Sequence, residues 1–494
     1  VFALRSRGTA MAGALPLLEF TLDRLFAERE VRRLTLAAYE RMGGVEGAIG
    51  THCEAVFSAL LETAQSALGR VFLPLVHIDE NTGEPTRKRA SLADVTKDAD
   101  AATLVEALVK NRLLQTGSDD GSPVVEITHE ALFRHWQRLV DWIAVARKDI
   151  ALLNELTRDA ARWEASGRNR DHVWRGERAQ AAQDMLARLQ PDLTDVERAF
   201  ARPEAEHLLD EIADINTSHI RRDEISRALH ELNYELPGAG LTADGLPDIA
   251  WCYVDVPDDL RGKKVPFHDE DGRVYGKSEI KPFEIAMFPI TYIQFQAFVD
   301  ADDGFRNPEW WHRLRRKDNP DQARQPLLNY PRDTVNWYDA IAFCRWLSWR
   351  LGGVFDLDKV EQWAVRLPTE YEWQWVAQNG MERREYPWLG EWDFRRCNTA
   401  GSGIGRSTAV GMFPHGEAAC RALDMSGNLW EWCLNKYQEP NISTVDASGN
   451  SRVLRGGSWS SNLDLARAAY RVAYAPSSRS SYIYGFRVCR PPSR

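Results

Sequence analysis

The chain has few cysteines, and none of them pairs in a short motif. Seven cysteines are scattered over 494 residues, and no CxxC spacing occurs. An odd number of dispersed thiols argues against a disulfide framework and favours a reducing compartment. We therefore predict free thiols and a cytoplasmic protein.

Long apolar runs are also absent. No segment approaches the length that spans a bilayer, and no secretory signal opens the chain, so we expect no membrane partner. No GxxxxGK[ST] loop occurs, which excludes nucleotide binding by that route. The net charge of −10 argues against nucleic acid as a partner. The chain begins with Val rather than Met, and we expect it to be a fragment of a longer protein.

A third absence is local. Between Ser460 and Tyr484 there is no Lys, Glu, Gln, Met or Trp, and Ser, Ala and Tyr are the most frequent residues. The stretch lies between Arg-Val-Leu-Arg-Gly-Gly-Ser-Trp at 452–459 and Gly-Phe-Arg-Val at 485–488. Tyrosines and small polar residues between rigid flanks are typical of an adaptable binding surface. The alternative is an ordinary strand and loop whose composition does not indicate a binding role.

The length predicts two to four domains. Helical patterns fill the first part of the chain until a hairpin pattern at Leu113–Thr116 and Val124–Thr128. Helices followed by a hairpin are typical of a winged helix, and a helical bundle with one hairpin is the alternative. From His129 the pattern is helical to about Leu232, and a stretch rich in Gly and Pro follows.

We predict a multidomain protein in which helical domains precede an α+β domain. Its expected segments are a winged-helix-like domain at 1–128, a helical arm at 129–235, a linker at 236–247 and a mixed domain at 248–494. Thr369 and Glu372 predict a capping box, and Thr291 predicts a second helix cap. Most of the 18 tryptophans follow Trp310, which predicts a densely aromatic core in the last domain.

The first part of the chain resembles the region after the ATPase module in bacterial STAND-type signalling NTPases. The motifs that carry the resemblance are Ala14-Leu-Pro-Leu-Leu-Glu-Phe, Leu34-Thr-Leu-Ala-Ala-Tyr-Glu, Gly43-Gly-Val-Glu-Gly-Ala-Ile, Thr128-His-Glu-Ala-Leu-Phe-Arg-His-Trp and Trp174-Arg-Gly. The resemblance implies a winged helix and a helical arm that relay between a sensor and an ATPase lying upstream. It does not imply a DNA reader.

The last part, 248–490, resembles the formylglycine-generating-enzyme family, whose fold is an elaborated C-type lectin fold. The motifs are Leu367-Pro-Thr-Glu, Gly427-Asn-Leu-Trp-Glu-Trp, Arg455-Gly-Gly-Ser-Trp and Gly485-Phe-Arg. The family's oxidase holds copper with two cysteines, whose positions here are Ser461 and Ala466. Its iron branch uses a histidine site, for which His207 and His230 lack the spacing and the accompanying carboxylate. We therefore predict that the domain is not an enzyme.

The same resemblance implies a candidate calcium site. The family loop that supplies oxygen ligands matches Asp424, Gly427, Leu429 and Glu431. A hydrogen-bonded structural turn is the alternative interpretation of these residues. A second calcium site of the family requires an acidic residue near Ser402, which is missing. We expect no other cofactor.

The stretch and its flanks also resemble a further branch of this fold, the variable proteins of diversity-generating retroelements. In that branch, template Asn codons are mutated at adenines, which never produces Lys, Glu, Gln, Met or Trp. The resemblance implies that Pro476, Arg467, Arg471 and Arg479 belong to a fixed frame. It implies the following variable, ligand-binding positions: Ser460, Ser461, Leu463, Asp464, Leu465, Val472, Ala473, Tyr474, Ser477, Ser478, Ser480, Ser481, Tyr482, Ile483 and Tyr484.

Together these observations predict a non-catalytic receptor module. A hypervariable lectin-type surface would bind an unknown protein or other macromolecule and act on an upstream STAND-type NTPase. The resemblance alone implies a bacterial signalling role in biotic conflict. The alternatives are a formylglycine-generating-type oxidase, which the missing cysteine pair disfavours, and a fixed lectin-type binding protein.

Overall fold

The computed structural model describes residues 14–27, 29, 33–42, 44–79, 82–352, 356–478 and 482–492. Contacts between Cα atoms divide the chain into two compact units, Val1–Glu204 and Ala205–Arg494. Among the described residues, no helix combines the length and the apolar character needed to cross a bilayer.

The first unit is mainly helical. Its helices are α1 (Ala14–Ala27), α2 (Leu36–Arg41), α3 (Gly44–Ser58), α4 (Glu62–Ser66), α5 (Leu68–Phe72), α6 (Leu92–Val95), α7 (Ala99–Lys110), α8 (Leu132–His135), α9 (Gln137–Ala165), α10 (Gly176–Leu189) and α11 (Asp195–Phe200). Trp136 is buried in the core of this unit, where its ring meets Phe57 and Phe72 edge-on at centroid distances of 5.7 and 5.6 Å. Such aromatic contacts add to the burial of apolar area in holding the helices together.

Two small sheets complete the first unit. The strands are β1 (Val76–Ile78), β2 (Pro85–Arg87), β3 (Ala90–Ser91), β4 (Leu114–Asp119) and β5 (Ser122–Ile127). The sheets are β1-β2 and β3-β5-β4. The predicted hairpin is present as β4 and β5, with φ of 45° at Asp120 and 84° at Gly121. Positive φ at both central residues suits a two-residue hairpin turn. The winged-helix assignment stays a prediction.

The second unit has five helices and nine strands among its described residues. The helices are α12 (Glu204–Ala213), α13 (His219–Glu231), α14 (Tyr292–Asp300), α15 (Trp337–Gly352) and α16 (Glu370–Ala377). The strands are β6 (Trp251–Val254), β7 (Lys264–His268), β8 (Val274–Glu279), β9 (Phe283–Ala286), β10 (Trp430–Lys436), β11 (Arg452–Arg455), β12 (Arg471–Tyr474), β13 (Tyr484–Gly485) and β14 (Cys489–Arg490).

The described strands of this unit form three sheets. The largest has the order β12-β11-β10-β13, the second β14-β9-β6, and β7 pairs with β8. Within the largest sheet, β11 is antiparallel to β10 and β12, whereas β13 is parallel to β10 with Tyr484 opposite Trp430. The two edge strands of this sheet, β12 and β13, therefore both contain residues of the 460–484 stretch.

The predicted aromatic core is present in the second unit. The indole rings of Trp337, Trp346, Trp373 and Trp432 are at most 1% exposed. Helix α16 begins with the predicted capping box, in which Thr369 and Glu372 bond each other's backbone N–H groups. The predicted cap Thr291 of α14 forms a second capping box with Gln294. These local signals fix where α14 and α16 begin, and α16 packs against β10 and β11 of the large sheet.

Helices α12 and α13 form a hairpin, the α12–α13 hairpin, that packs within the second unit. Ile225 and Leu229 are fully buried in one cluster with Tyr330 and Met412. The predicted helical arm at 129–235 therefore crosses the division between the units at Glu204.

The segment predicted as a linker, 236–247, is packed rather than extended between domains. The side chain of Ala239 is fully buried, and the carbonyl oxygen of Ala239 accepts a hydrogen bond of 2.6 Å from Thr291 Oγ1. Its Gly and Pro content serves tight turns, since Gly238 has a φ of 79° with no room for a Cβ beside Ala250.

Candidate binding site

A buried arginine that precedes the 460–484 stretch holds the backbone in the middle of that stretch. The side chain of Arg455 is fully buried, and its Nη1 donates to the carbonyl oxygens of Ala469 at 2.8 Å and Tyr470 at 3.1 Å. Its Nη2 donates to Gln374 Oε1 at 2.8 Å and Glu370 Oε2 at 3.2 Å. The guanidinium therefore ties the chain after the stretch's first turn to helix α16 by charge-assisted hydrogen bonds.

Glu370 also accepts hydrogen bonds from a second arginine of the expected frame. Arg471 donates from Nε and Nη2 to the two oxygens of this carboxylate, both at 2.9 Å. Arg471 is the first residue of β12, so the same carboxylate orients the edge strand and the backbone before it. The expected frame residue Arg467 pairs with Glu385 at 2.9 Å, and Arg479 lies outside the described residues.

A second buried ion pair anchors the chain after the stretch. The side chains of Arg487 and Glu431 are both fully buried and bond each other twice, at 2.6 and 2.7 Å. Arg487 also donates to the carbonyl oxygen of Leu423 at 2.7 Å, and Trp373 Nε1 donates to Glu431 at 2.7 Å. Every polar atom of the Glu431 carboxylate thus has a protein partner, which offsets the cost of burying the charge.

Most of the predicted variable residues lie at the surface between these two anchors. The exposed ones are Ser460, Leu463, Asp464, Tyr474, Ser477 and Tyr482. The half-buried ones are Leu465, Val472, Ala473, Ser478 and Ile483. We refer to these eleven residues as the 460–483 face. Ser480 and Ser481 lie outside the described residues.

Two predicted variable residues are buried instead. Ser461 is 3% exposed, and its Oγ accepts a hydrogen bond of 2.9 Å from the backbone N–H of Ser458. Tyr484 is also 3% exposed, and its ring packs edge-on against Trp432 at a centroid distance of 5.7 Å. Both side chains support the fold from beneath the face, so a ligand on the surface would not reach them.

Aromatic contacts order the face and add two residues to it. The ring of Tyr482 stacks on Trp459 with centroids 5.6 Å apart and 14° between the planes. The guanidinium carbon of Arg324 lies 5.5 Å from the centroid of the Tyr482 ring. Sequence reasoning treated Trp459 as part of the frame and missed Arg324, because no local pattern links it to this stretch.

The positions of the family's copper ligands hold no thiol. Ser461 and Ala466 are both buried, at 3% and 0% exposure, and neither side chain can donate a thiolate to copper. His230 Nδ1 accepts a hydrogen bond of 3.1 Å from the backbone N–H of Leu328, in keeping with a structural role. In the part of the chain that the structure describes, no three His, Cys, Asp or Glu residues are grouped to hold a metal ion.

Both carboxylates of the candidate calcium loop already accept hydrogen bonds from the protein. Asp424 accepts a bond of 2.9 Å from the backbone N–H of Gly411, and burial raises the pKa of its carboxyl to about 6. The loop brings Gly427 and Leu429 close to Glu431, whose oxygens are bonded to Arg487 and Trp373. A cation here would face the Arg487 guanidinium. As arranged, these residues fit the structural turn better than a calcium cage, and calcium binding stays an untested prediction.

Two domain families match the chain. The model of Novel STAND NTPase 1 matches residues 3–171. The model of the Sulfatase-modifying factor enzyme 1-like domain matches residues 261–492. The chain therefore contains a STAND-like region followed by a sulfatase-modifying-factor-like domain, and the latter supports the predicted formylglycine-generating-enzyme-like C-type lectin fold.

Curated relatives match the sulfatase-modifying-factor-like domain. Hercynine oxygenase of Mycolicibacterium thermoresistibile is 28% identical over 230 residues, which cover 39% of this chain and 47% of the relative. The chain thus spans about half the length of that relative. Inactive C-alpha-formylglycine-generating enzyme 2 of Bos taurus is 28% identical over 265 residues, which cover 43% of this chain and 80% of the relative.

Solved structures match about half of the chain. Treponema denticola variable protein 1 is 22% identical, with a TM-score of 0.35, covering 49% of this chain and 95% of that one. PvdO from Pseudomonas aeruginosa is 22% identical, with a TM-score of 0.35, covering 49% of this chain and 92% of that one.

Proposed function

We propose that this chain is a non-catalytic ligand-binding module whose binding surface is the 460–483 face. The observation that carries the proposal is that Arg455 binds backbone carbonyl oxygens in the middle of the stretch, while the buried Arg487–Glu431 pair anchors the chain after it. Both hold the chain without using the side chains of the face. Those side chains are therefore free to contact a partner and to differ between proteins.

The chemistry of the face suits a protein or another macromolecule as the ligand. Tyr474 and Tyr482 are 40% and 46% exposed, and Leu463 is 40% exposed. Rigid tyrosines give large contact area at a low cost in conformational entropy, and small serines between them supply adaptable hydrogen bonds. Arg324 beside Tyr482 adds a cation, of a kind that is enriched in interface cores.

Diversification of the face by a retroelement is part of the proposal, and its support is the composition of residues 460–484. The test is to sequence the coding DNA and its neighbourhood. A near-repeat that differs from the codons of this stretch only where the repeat has adenine supports diversification. The absence of such a repeat here and in sibling strains overturns it, and leaves a fixed lectin-type binding protein.

The rival function is an oxidase. It draws support from the hercynine oxygenase relatives, whose name is that of an enzyme, whereas other relatives are named inactive. The test is to incubate the chain with copper(I) and a cysteine-containing peptide under oxygen and to follow the peptide by mass spectrometry. We expect no oxidation to an aldehyde, because Ser461 and Ala466 provide no thiolate for copper. Turnover that depends on copper would overturn the non-catalytic proposal.

We further propose that ligand binding biases an ATPase located upstream in the full protein, in the cytoplasm. The match of residues 3–171 to a STAND NTPase family supports this coupling. The test is to compare ATP hydrolysis by the full protein with and without a ligand identified for the face. A ligand that binds the face and leaves hydrolysis unchanged overturns the coupling while leaving the binding function intact.

A further inference from the structure

Two cysteines on different segments of the second unit come together away from the 460–483 face. Cys252 lies on β6 and is 4% exposed, whereas Cys420 is half-buried in a tight turn closed by a hydrogen bond of 2.8 Å from Ala418 N to Ala422 O. Both belong to one apolar cluster.

Backbone hydrogen bonds hold this turn beside β6. Leu423 N donates to Met287 O at 2.8 Å, and Met287 N donates to Ala250 O, also at 2.8 Å. Met287, which follows β9, therefore lies between Leu423 of the turn and Ala250, the residue before β6. This arrangement holds the turn with Cys420 close to the strand with Cys252. Tyr253, the neighbour of Cys252, lines one pocket with Ala419 and Cys420, so the two cysteines lie beside each other.

The pair differs from the other cysteines in both access and chemistry. Cys420 lines an open pocket of about 490 Å³ together with Tyr253, Trp375 and Met381. The hydrogen bond with Cys252 lowers the pKa of Cys420 to about 7, and the Arg487 guanidinium contributes in the same direction. The thiolate is the reactive form of cysteine, so Cys420 combines a reactive form with a route from solvent.

The remaining five cysteines lack these properties. Burial raises the pKa of each of their thiols and keeps them from solvent, and they are Cys53, Cys344, Cys397, Cys433 and Cys489. They are therefore internal controls for thiol reactivity within the same chain.

We propose that Cys420 and Cys252 form a peroxide-sensitive dithiol that closes to a reversible disulfide. The Cys420 thiolate attacks one oxygen of hydrogen peroxide, the O–O bond breaks, and the departing hydroxide takes up a proton to leave as water. The sulfur of Cys252 then attacks the resulting sulfenic acid, the S–O bond breaks and a second water leaves. Two electrons pass from the two sulfurs to the peroxide, and an external thiol reverses the reaction by exchange.

The dithiol is linked to the anchor of the binding face. The residue that ends the turn, Leu423, gives its carbonyl oxygen to Arg487 at 2.7 Å, and Arg487 bonds Glu431. A disulfide would tie the turn to β6 and restrict the position of that carbonyl. Oxidation is therefore expected to alter hydrogen exchange around Arg487 as well as at the turn.

The test is to treat the whole chain with hydrogen peroxide and map its cysteines by mass spectrometry after blocking the remaining thiols. We expect a Cys252–Cys420 linked peptide that disappears with dithiothreitol, while Cys397 stays free. In the Cys252→Ser variant we expect a sulfenic acid on Cys420 that a dimedone probe captures. The matched Cys397→Ser variant should form the linked peptide as the parent chain does.

A second measurement separates this proposal from a folding defect. Alkylation of Cys420 by iodoacetamide at neutral pH should be at least about tenfold faster than that of Cys397, with a midpoint near pH 7 that rises in the Cys252→Ala variant, which has no donor at this position. Failure of the parent chain to form the linked peptide, or equal reactivity of Cys420 and Cys397, overturns the proposal. Either result leaves the proposed binding function untouched.

Discussion

At the residue scale, the paired charges of Arg487 and Glu431 lie in a core that excludes water. Removing one partner leaves an uncompensated buried charge, so we expect Arg487→Met to lower the free energy of unfolding by about 3–5 kcal/mol. The double variant Arg487→Met with Glu431→Gln should lose less than the sum of the single variants, because no orphan charge remains.

The control for this prediction is Arg421→Met, since the Arg421 side chain is 78% exposed and its contact with Glu417 is 3.9 Å long. We expect it to change the free energy of unfolding by at most about 0.5 kcal/mol in urea titrations. Additive effects of the two core substitutions would contradict the role of the pair.

Two tyrosines of the same stretch provide a second prediction. Tyr484 is 3% exposed beneath the face, whereas Tyr482 is 46% exposed upon it. We expect Tyr484→Ser to cost about 3–4 kcal/mol of stability, since it leaves a cavity beside Trp432. The same change at Tyr482 should cost about 1 kcal/mol or less. The free energy of unfolding of both variants is measured by urea titration. Equal losses would mean that the exposed Tyr482 contributes as much to the fold as the buried Tyr484.

The calcium loop yields a third prediction. Because Glu431 is already bonded to Arg487 and Trp373, we expect about 1 mM calcium to shift the midpoint of thermal unfolding by less than about 1 °C relative to a chelator. Magnesium at the same concentration is the control for ionic strength. A rise specific to calcium would establish the loop as a cation site and require Glu431 to leave Arg487.

At the element scale, one guanidinium joins the α12–α13 hairpin to the rest of its unit. Arg222 is 1% exposed and donates to the carbonyl oxygens of Thr217, Ile212, Asp214 and Met412. The first three carbonyl oxygens belong to the hairpin, and the fourth belongs to the segment on which it packs. The hairpin is thus held by backbone acceptors that most substitutions would leave intact.

We predict that Arg222→Ala costs about 2–4 kcal/mol, because several buried carbonyl oxygens lose a charged donor. Amide hydrogen exchange should quicken first in α13. The matched variant Arg227→Ala removes an arginine of the same helix whose side chain is 46% exposed, and it should have little effect. Unchanged exchange in the Arg222 variant would show that apolar packing alone holds the hairpin.

At the scale of the whole molecule, the second compact unit begins earlier than the mixed domain predicted from the sequence. We expect a fragment of residues 204–494 to unfold in one cooperative transition. A fragment of 248–494 should be less stable by roughly 5 kcal/mol or more, because it lacks the buried Ile225 and Leu229 and the packed 236–247 segment. Equal urea midpoints for the two fragments would contradict this boundary.

Local signals in the sequence predicted much of this architecture. The capping box of Thr369 and the hairpin turn at Asp120 and Gly121 depend on residues three or fewer positions apart. Such patterns can be recognised from the sequence alone. Family motifs extended the prediction to a domain at 248–494, within which residues 261–492 match a family model.

Other features depend on contacts between distant residues. Arg324 reaches Tyr482, and Ile225 packs against Met412, although no spacing in the sequence connects either pair. The burial of Ser461 and Tyr484 escaped prediction for a related reason. Composition alone cannot distinguish a serine that accepts a backbone hydrogen bond from one that faces solvent.

The grip of Arg455 on carbonyl oxygens has a consequence for heredity. Every amino acid offers the same carbonyl group, so the hold of Arg455 does not depend on which side chains Ala469 and Tyr470 carry. Substitutions of side chains on the face therefore leave these two hydrogen bonds in place. A lineage could explore many surfaces while inheriting a single scaffold.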